Sequence, residues 1–173
     1  MPLYNTMVLP HLQYCLINWG NFEGDCNKGL RDRLITLQKC FVRIVSGVHR
    51  KSHTRPLFAN LGTLRVDDMF AQSVRVFSYQ VSRGLLPGAM ATFVRKIDHG
   101  YSTRGAMDNF HVGKSSLESI KSIAPRYWNP LPREMKHSPS IASFKERSKV
   151  DLLRPYVAFS CSAPRCYPCS VSS

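Results

Sequence analysis

Leu30-Arg31-Asp32-Arg33-Leu34-Ile35-Thr36-Leu37-Gln38-Lys39-Cys40-Phe41-Val42-Arg43-Ile44-Val45-Ser46-Gly47-Val48 is the stretch whose reading decides the fold. Leu30, Leu34, Leu37, Phe41, Ile44, Val45 and Val48 recur at three- and four-residue steps, the spacing that gathers side chains on one face of an α-helix. The spacing predicts a helix whose apolar stripe faces the core, with Lys39 and Arg43 pointing away from it. Gly47 stands where a left-handed residue stops a helix, a conformation that costs glycine nothing because it has no Cβ.

Working outward, Val66 to Arg83 predicts a second helix, with Phe70, Val74, Phe77 and Val81 on one face and Gly84 and Pro87 as the stop. Asp67 or its neighbour is expected to cap its start. A third helix is expected after Ser138, with Pro139 in the first helical position, Ile141, Phe144 and Leu152 turned inward, and Lys145, Arg147 and Lys149 on its outer side. Between these, Tyr101 to Lys136 is rich in glycine and proline and predicts irregular structure. Phe110–Val112 and Ser119–Ile123 are candidate strands of one short hairpin. Residues 1–157 read as one helical region, and 158–173 as a disordered tail of Ser, Cys and Pro.

Lys and Arg number 24 against 11 Asp and Glu, a formal net charge of +13. Such a chain attracts polyanions and gains affinity by releasing their counterions, which makes nucleic acid the expected partner class. The start has no basic run before an apolar core, and no lipidation motif is visible, so neither export nor a membrane partner is expected. Six cysteines without an export signal fit free thiols in a reducing compartment, the cytoplasm or nucleus.

The densest basic stretch is His49-Arg50-Lys51-Ser52-His53-Thr54-Arg55, directly after a helix that also carries Lys39 and Arg43. With Arg104, Lys145 and Lys149, these cations are candidates for phosphate contacts, which position a nucleic acid without reading its sequence. Trp19 and Trp128 could stack on bases, but in a Pro-rich turn Trp128 is better read as the plug that fixes the loop, and both tryptophans as core. Tyr101, beside Arg104, fits either role. Trp19, Trp128, Pro132 and Phe144 are therefore the expected structural anchors.

Two sharper chemistries are weaker. Asp67-Asp68 superficially matches a metal-binding carboxylate pair, yet Arg65 and Val66 precede it and a helical pattern follows at once, so favourable charge at a helix N-terminus explains it better. Cys161, Cys166 and Cys169 lack the fourth ligand and the spacing of a zinc knuckle, so no metal or other cofactor is expected. The histidines are scattered and offer no nucleophile oriented by a base.

Four phrases carry a resemblance by their order. They are Leu9-Pro10-His11-Leu12-Gln13-Tyr14-Cys15 leading to Trp19-Gly20-Asn21 and then Leu37-Gln38-Lys39-Cys40; Pro56-Leu57-Phe58 with Leu61, Leu64, Val66 and Asp67; Tyr101-Ser102-Thr103-Arg104; and Ala124-Pro125-Arg126-Tyr127-Trp128-Asn129-Pro130-Leu131-Pro132 followed by Ser143-Phe144-Lys145. In this order they resemble the region downstream of the polymerase core in LINE-type, jockey-like non-LTR retrotransposon reverse transcriptases, over roughly Leu3 to Tyr156. The resemblance implies a mainly α, thumb-like helical bundle that grips RNA or an RNA/DNA hybrid beside a polymerase palm. It supplies no catalytic residue, because the metal-binding aspartates of that family lie upstream of the matching region. Ser148 replaces the apolar residue usual in similar sequences and is expected to weaken the last helix. Together these readings predict a non-catalytic nucleic-acid-binding fragment, the alternative being a remnant or structural module with no nucleic-acid role.

Overall fold

The computed structural model describes residues 4–21, 25–97, 108–112 and 119–158. Tyr101, Arg104, Cys161, Cys166 and Cys169 lie outside them. The described chain is mainly α. A π-helical turn, Tyr4–Val8, runs into α1 (Leu9–Gln13) and α2 (Leu16–Trp19), followed by α3 (Asp25–Val45), α4 (Arg55–Asn60), α5 (Val66–Ser82), α6 (Gly88–Ala91), α7 (Ile120–Trp128), α8 (Arg133–Lys136) and α9 (Ile141–Val157).

The central element is α5, which packs against α9, α7, α2 and α3. Its predicted face holds: Phe70, Val74 and Val81 are buried, and Phe77 is partly buried against the same core. Gly84 adopts φ +66°. Leu85 N–H donates to the Gln80 carbonyl and Gly84 N–H to that of Val81, the paired bonds that satisfy a helix end. The same pair of bonds closes α3, from Val48 to Arg43 and from Gly47 to Ile44, with Gly47 at φ +63°.

The face that α3 buries is not the predicted one. Ile35, Gln38 and Val42 are buried, with Leu34 and Val45 beside them, whereas Leu30, Leu37, Phe41, Ile44 and Val48 are exposed. Lys39 and Arg43 are half-buried rather than turned fully outward. The apolar stripe is real as a pattern, but the core is built on its flank.

The start of α5 is also capped differently from expectation. Arg65 is the N-cap residue and no side chain of the first turn caps the helix. Gln38 does so from α3: its Oε1 accepts from Val66 N–H at 3.0 Å while its Nε2 donates to the Leu64 carbonyl and the Tyr4 hydroxyl.

Ser119–Ile123 is not a strand. Ser119 caps α7, which carries Pro125 within it and turns Ser122, Ile123, Ala124, Pro125 and Trp128 into the core. Proline removes one backbone hydrogen bond and would break an isolated helix of this length, but burial of a continuous face outweighs local propensity here. Strand structure among the described residues reduces to one antiparallel bridge, Lys96 with Phe110, so Phe110–Val112 forms no hairpin with 119–123. The third predicted helix is α9, starting two residues later than the Pro139 reading, where the Ser140 hydroxyl accepts from Ser143 N–H. Ile141, Phe144 and Leu152 face inward as expected.

Of the anticipated anchors, Trp128 and Phe144 are 1% and 0% exposed. Trp128 packs between Phe110 and Phe144, and its indole N–H donates to the Asp108 carbonyl at 2.7 Å. Trp19 is partly buried and donates to the Tyr14 carbonyl. Pro132 is exposed and serves as the N-cap residue of α8 rather than as packing. Ser148 does not interrupt α9; fully buried, it accepts from Arg75, which also pairs with Asp151 at 2.9 Å.

Candidate nucleic-acid interface

The predicted cations fall into two groups. Lys39, Arg43, Arg50, Lys51 and Arg55 occupy the C-terminal half of α3, the following loop and the first residue of α4. Arg50, Lys51 and Arg55 are exposed. Arg43 is committed to structure, its Nε donating to the Ser52 carbonyl at 3.0 Å and so tying the loop back to the helix.

Lys145 and Lys149 lie one helical turn apart on α9 and share a face. Lys145 lines a cleft of about 530 Å³ with Gln13, Gln72, Ser73 and Gln80, floored by Leu16, Met69 and Phe77. Lys149 lines a second cleft of about 230 Å³ with Asn5, Gln13, Thr63 and Gln72. Gln13, Met69 and Gln72 line both, so the two clefts adjoin as a two-part groove beside α1, α2, α5 and α9. The Gln72 amide donates to the Lys145 carbonyl at 3.1 Å and holds that wall in place.

The chemistry of this groove is amide and hydroxyl groups over an apolar floor, with Lys145 and Lys149 among its lining residues. Ammonium groups meet phosphates as point charges, and amides both donate and accept toward sugar hydroxyls or base edges. Periodicity finds Lys145 and Lys149 but misses the glutamines. Gln72, Val76 and Gln80, four residues apart, mark a second face of α5 that the stronger apolar stripe obscures.

The aspartate pair has other work. Asp67 accepts from Arg31 through two nitrogens at 3.0 Å each and from Arg65 at 2.9 Å. Asp68 accepts a hydrogen bond from the Tyr156 hydroxyl, which joins α5 to α9. Burial raises the Asp68 carboxyl above its ordinary value despite that bond, and raises Tyr156 as well. Both carboxylates are thus fixed in a network linking α3, α5 and α9. Among the described residues no group of three or more His, Cys, Asp or Glu side chains is placed to hold a metal ion. Cys15 and Cys40 are exposed free thiols.

A second polar cluster lies at α8. Lys136 is buried; its Nζ donates to Asn109 Oδ1 at 2.8 Å and the Asn129 carbonyl at 3.0 Å and lies 5.7 Å from the centre of the Trp128 ring. Desolvation holds its pKa below the usual lysine value. Asp108 lies 2.9 Å from His137 and 3.4 Å from Arg133, and chiefly the His137 hydrogen bond lowers it below the ordinary carboxylate value. These groups lock α7 and α8 to the 108–110 segment.

No family model, curated protein or solved structure matches this chain. Among the described residues no helix is long and apolar enough to cross a membrane.

Proposed function

We propose that this chain is a non-catalytic nucleic-acid-binding segment, of the kind found after the palm in LINE-type reverse transcriptases, that holds RNA or an RNA/DNA hybrid by its phosphates. The observation that carries the reading is the groove lined in part by Lys145 and Lys149, set in a chain of net charge +13. Phosphates meet the two ammonium groups and the exposed Arg50, Lys51 and Arg55, while the groove amides contact sugars or base edges without demanding one sequence. The order of the four phrases around Gln38, Phe58, Tyr101 and Trp128 supports the family origin, and a polymerase palm is the natural protein partner. The carboxylates that could have suggested polymerisation are tied up in the Arg31, Arg65 and Tyr156 network, so this reading assigns the chain no chemistry.

Fluorescence anisotropy with a short labelled single-stranded RNA and an RNA/DNA hybrid tests the groove. Lys145→Ala/Lys149→Ala is expected to weaken binding of either ligand by about tenfold, at roughly 0.5–1 kcal/mol for each phosphate contact. Unchanged affinity in that double variant, with binding lost instead on removing the tail from 159 onward, contradicts it. A wild-type chain that folds yet binds neither ligand at low salt favours a structural remnant.

A further inference from the structure

Lys136 takes an ammonium group into the protein without a carboxylate bonded to it. The residue is 6% exposed, and among the described residues its hydrogen bonds go to two neutral oxygens, Asn109 Oδ1 and the Asn129 carbonyl, out of the three donors an ammonium group has. It lines a cavity of about 170 Å³ together with Arg83, Lys96, His137, Asp108 and Trp128. The other two permanent cations there also meet neutral acceptors: Arg83 donates to the Ser138 carbonyl at 3.2 Å and Lys96 to the Ser82 carbonyl at 2.9 Å. The one lining carboxylate, Asp108, is already engaged by His137 at 2.9 Å and Arg133 at 3.4 Å.

The geometry points to an anion site in this cavity, one that takes the phosphoryl group of a phosphomonoester. Three permanent cations against one carboxylate leave two positive charges on the wall, and the C-terminal end of α5 at Ser82 and Arg83 offsets roughly half a charge of that excess. A phosphomonoester carries about −1.5 to −2 at neutral pH and so matches the wall, whereas the single charge of a phosphodiester leaves it under-neutralised. Size agrees. The cavity has room for about five water molecules at roughly 30 Å³ each, and it is smaller than the roughly 300 Å³ of pockets that enclose a whole small molecule. A phosphoryl group enters; the rest of the ligand stays outside.

A purely structural role explains less. Lys136 does lock α7 and α8 to the 108–110 segment, but Arg83 and Lys96 are exposed residues, and a tie to one carbonyl each does not require their charged ends to share a cavity with a buried lysine. Like charges gathered in this way repel, and an anion between them turns the repulsion into charge-assisted hydrogen bonds. Desolvation already disfavours the charged form of Lys136, a cost that a bound dianion offsets. The cavity shares no lining residue with the groove of Lys145 and Lys149, so this site stands or falls separately from the function proposed above. Its phosphomonoester comes either from the end of a nucleic-acid strand or from a small soluble phosphate.

Two-dimensional NMR of the isotope-labelled, nuclease-treated full chain, titrated with inorganic phosphate against chloride at equal ionic strength, is the direct experiment. The expected result is one saturable site with a dissociation constant of about 1 mM or below, which moves the Trp128 indole N–H signal and the Lys96 and His137 amide signals. Lys96→Gln and Arg83→Gln, both at exposed positions, should each weaken it about tenfold with unchanged circular dichroism. Lys121→Gln, which removes the same charge from an exposed position of α7 outside the cavity, should not. A second arm compares one RNA carrying a terminal phosphate with the same RNA ending in a hydroxyl. Tighter binding of the phosphorylated RNA, lost in Lys96→Gln, assigns the ligand to a nucleic-acid end; equal binding of the two beside saturable inorganic phosphate assigns it to a small soluble phosphate. No saturable shift of these signals up to about 20 mM phosphate, or the same affinity in wild type and both cavity variants, overturns the proposal.

Discussion

Gln38 connects three segments through one amide: it caps α5 at Val66 and, itself buried, ties Leu64 and Tyr4 to α3. Truncating it leaves a buried N–H, a buried carbonyl and a buried phenol short of partners. Gln38→Ala is therefore expected to cost about 3 kcal/mol in urea unfolding, well above an ordinary surface substitution. Its neighbours on the exposed stripe should be far less sensitive. A buried polar residue with only tertiary partners leaves no trace in periodicity, and so Gln38 was legible as part of a phrase but not as a structural centre. The two shifted carboxylates give opposite pH signatures. Asp68 is raised in the fold, so its contribution is present below the unfolded value of 3.8 and declines as pH rises through the folded value. Asp68→Asn should accordingly gain in melting temperature relative to wild type between about pH 4 and 7. Asp108 is lowered, so its contribution is present above 3.8 and is lost as pH falls. Asp108→Asn should lose relative stability as pH climbs from about 2 to 5. Parallel melting curves across both ranges would remove the assigned roles.

At the scale of elements, α5 and α9 were legible because each carries an apolar stripe at helical spacing that the core takes up. The helix end at Gly47 was legible for a backbone reason, and it is testable: Gly47→Ala meets no steric obstacle yet must hold φ +63°, so it should cost about 1 kcal/mol. A smaller loss than Gly29→Ala, at a helical glycine with open space around it, would contradict this account. Which face of α3 is buried was not legible, because a regular apolar stripe fits a core and a partner helix equally well, and only the location of Gln38 and Val42 in the fold separates the two. The helix α7 was hidden by Pro125, since a proline after alanine argues locally for extended chain. What overrides it is non-local: Phe110 and Phe144 close around Trp128 at 5.5 and 6.0 Å.

For the whole molecule, the charge was fully legible and its placement only partly so. Composition gives the excess of cations, but not that Arg43 is spent on Ser52 or that Lys136 is sunk beside Trp128. Lys145 and Lys149 were identified by helical spacing, while the groove they help to line depends on the meeting of α1, α2 and α5 with α9, which no local pattern contains. The proposed grip on nucleic acid through phosphate charge is open to one decisive measurement, RNA affinity as a function of salt. The expected result is a straight line in log–log form with a slope of several units, lowered by about 1 to 2 in Lys145→Ala/Lys149→Ala. Affinity independent of salt, or a slope identical in wild type and the double variant, would contradict it.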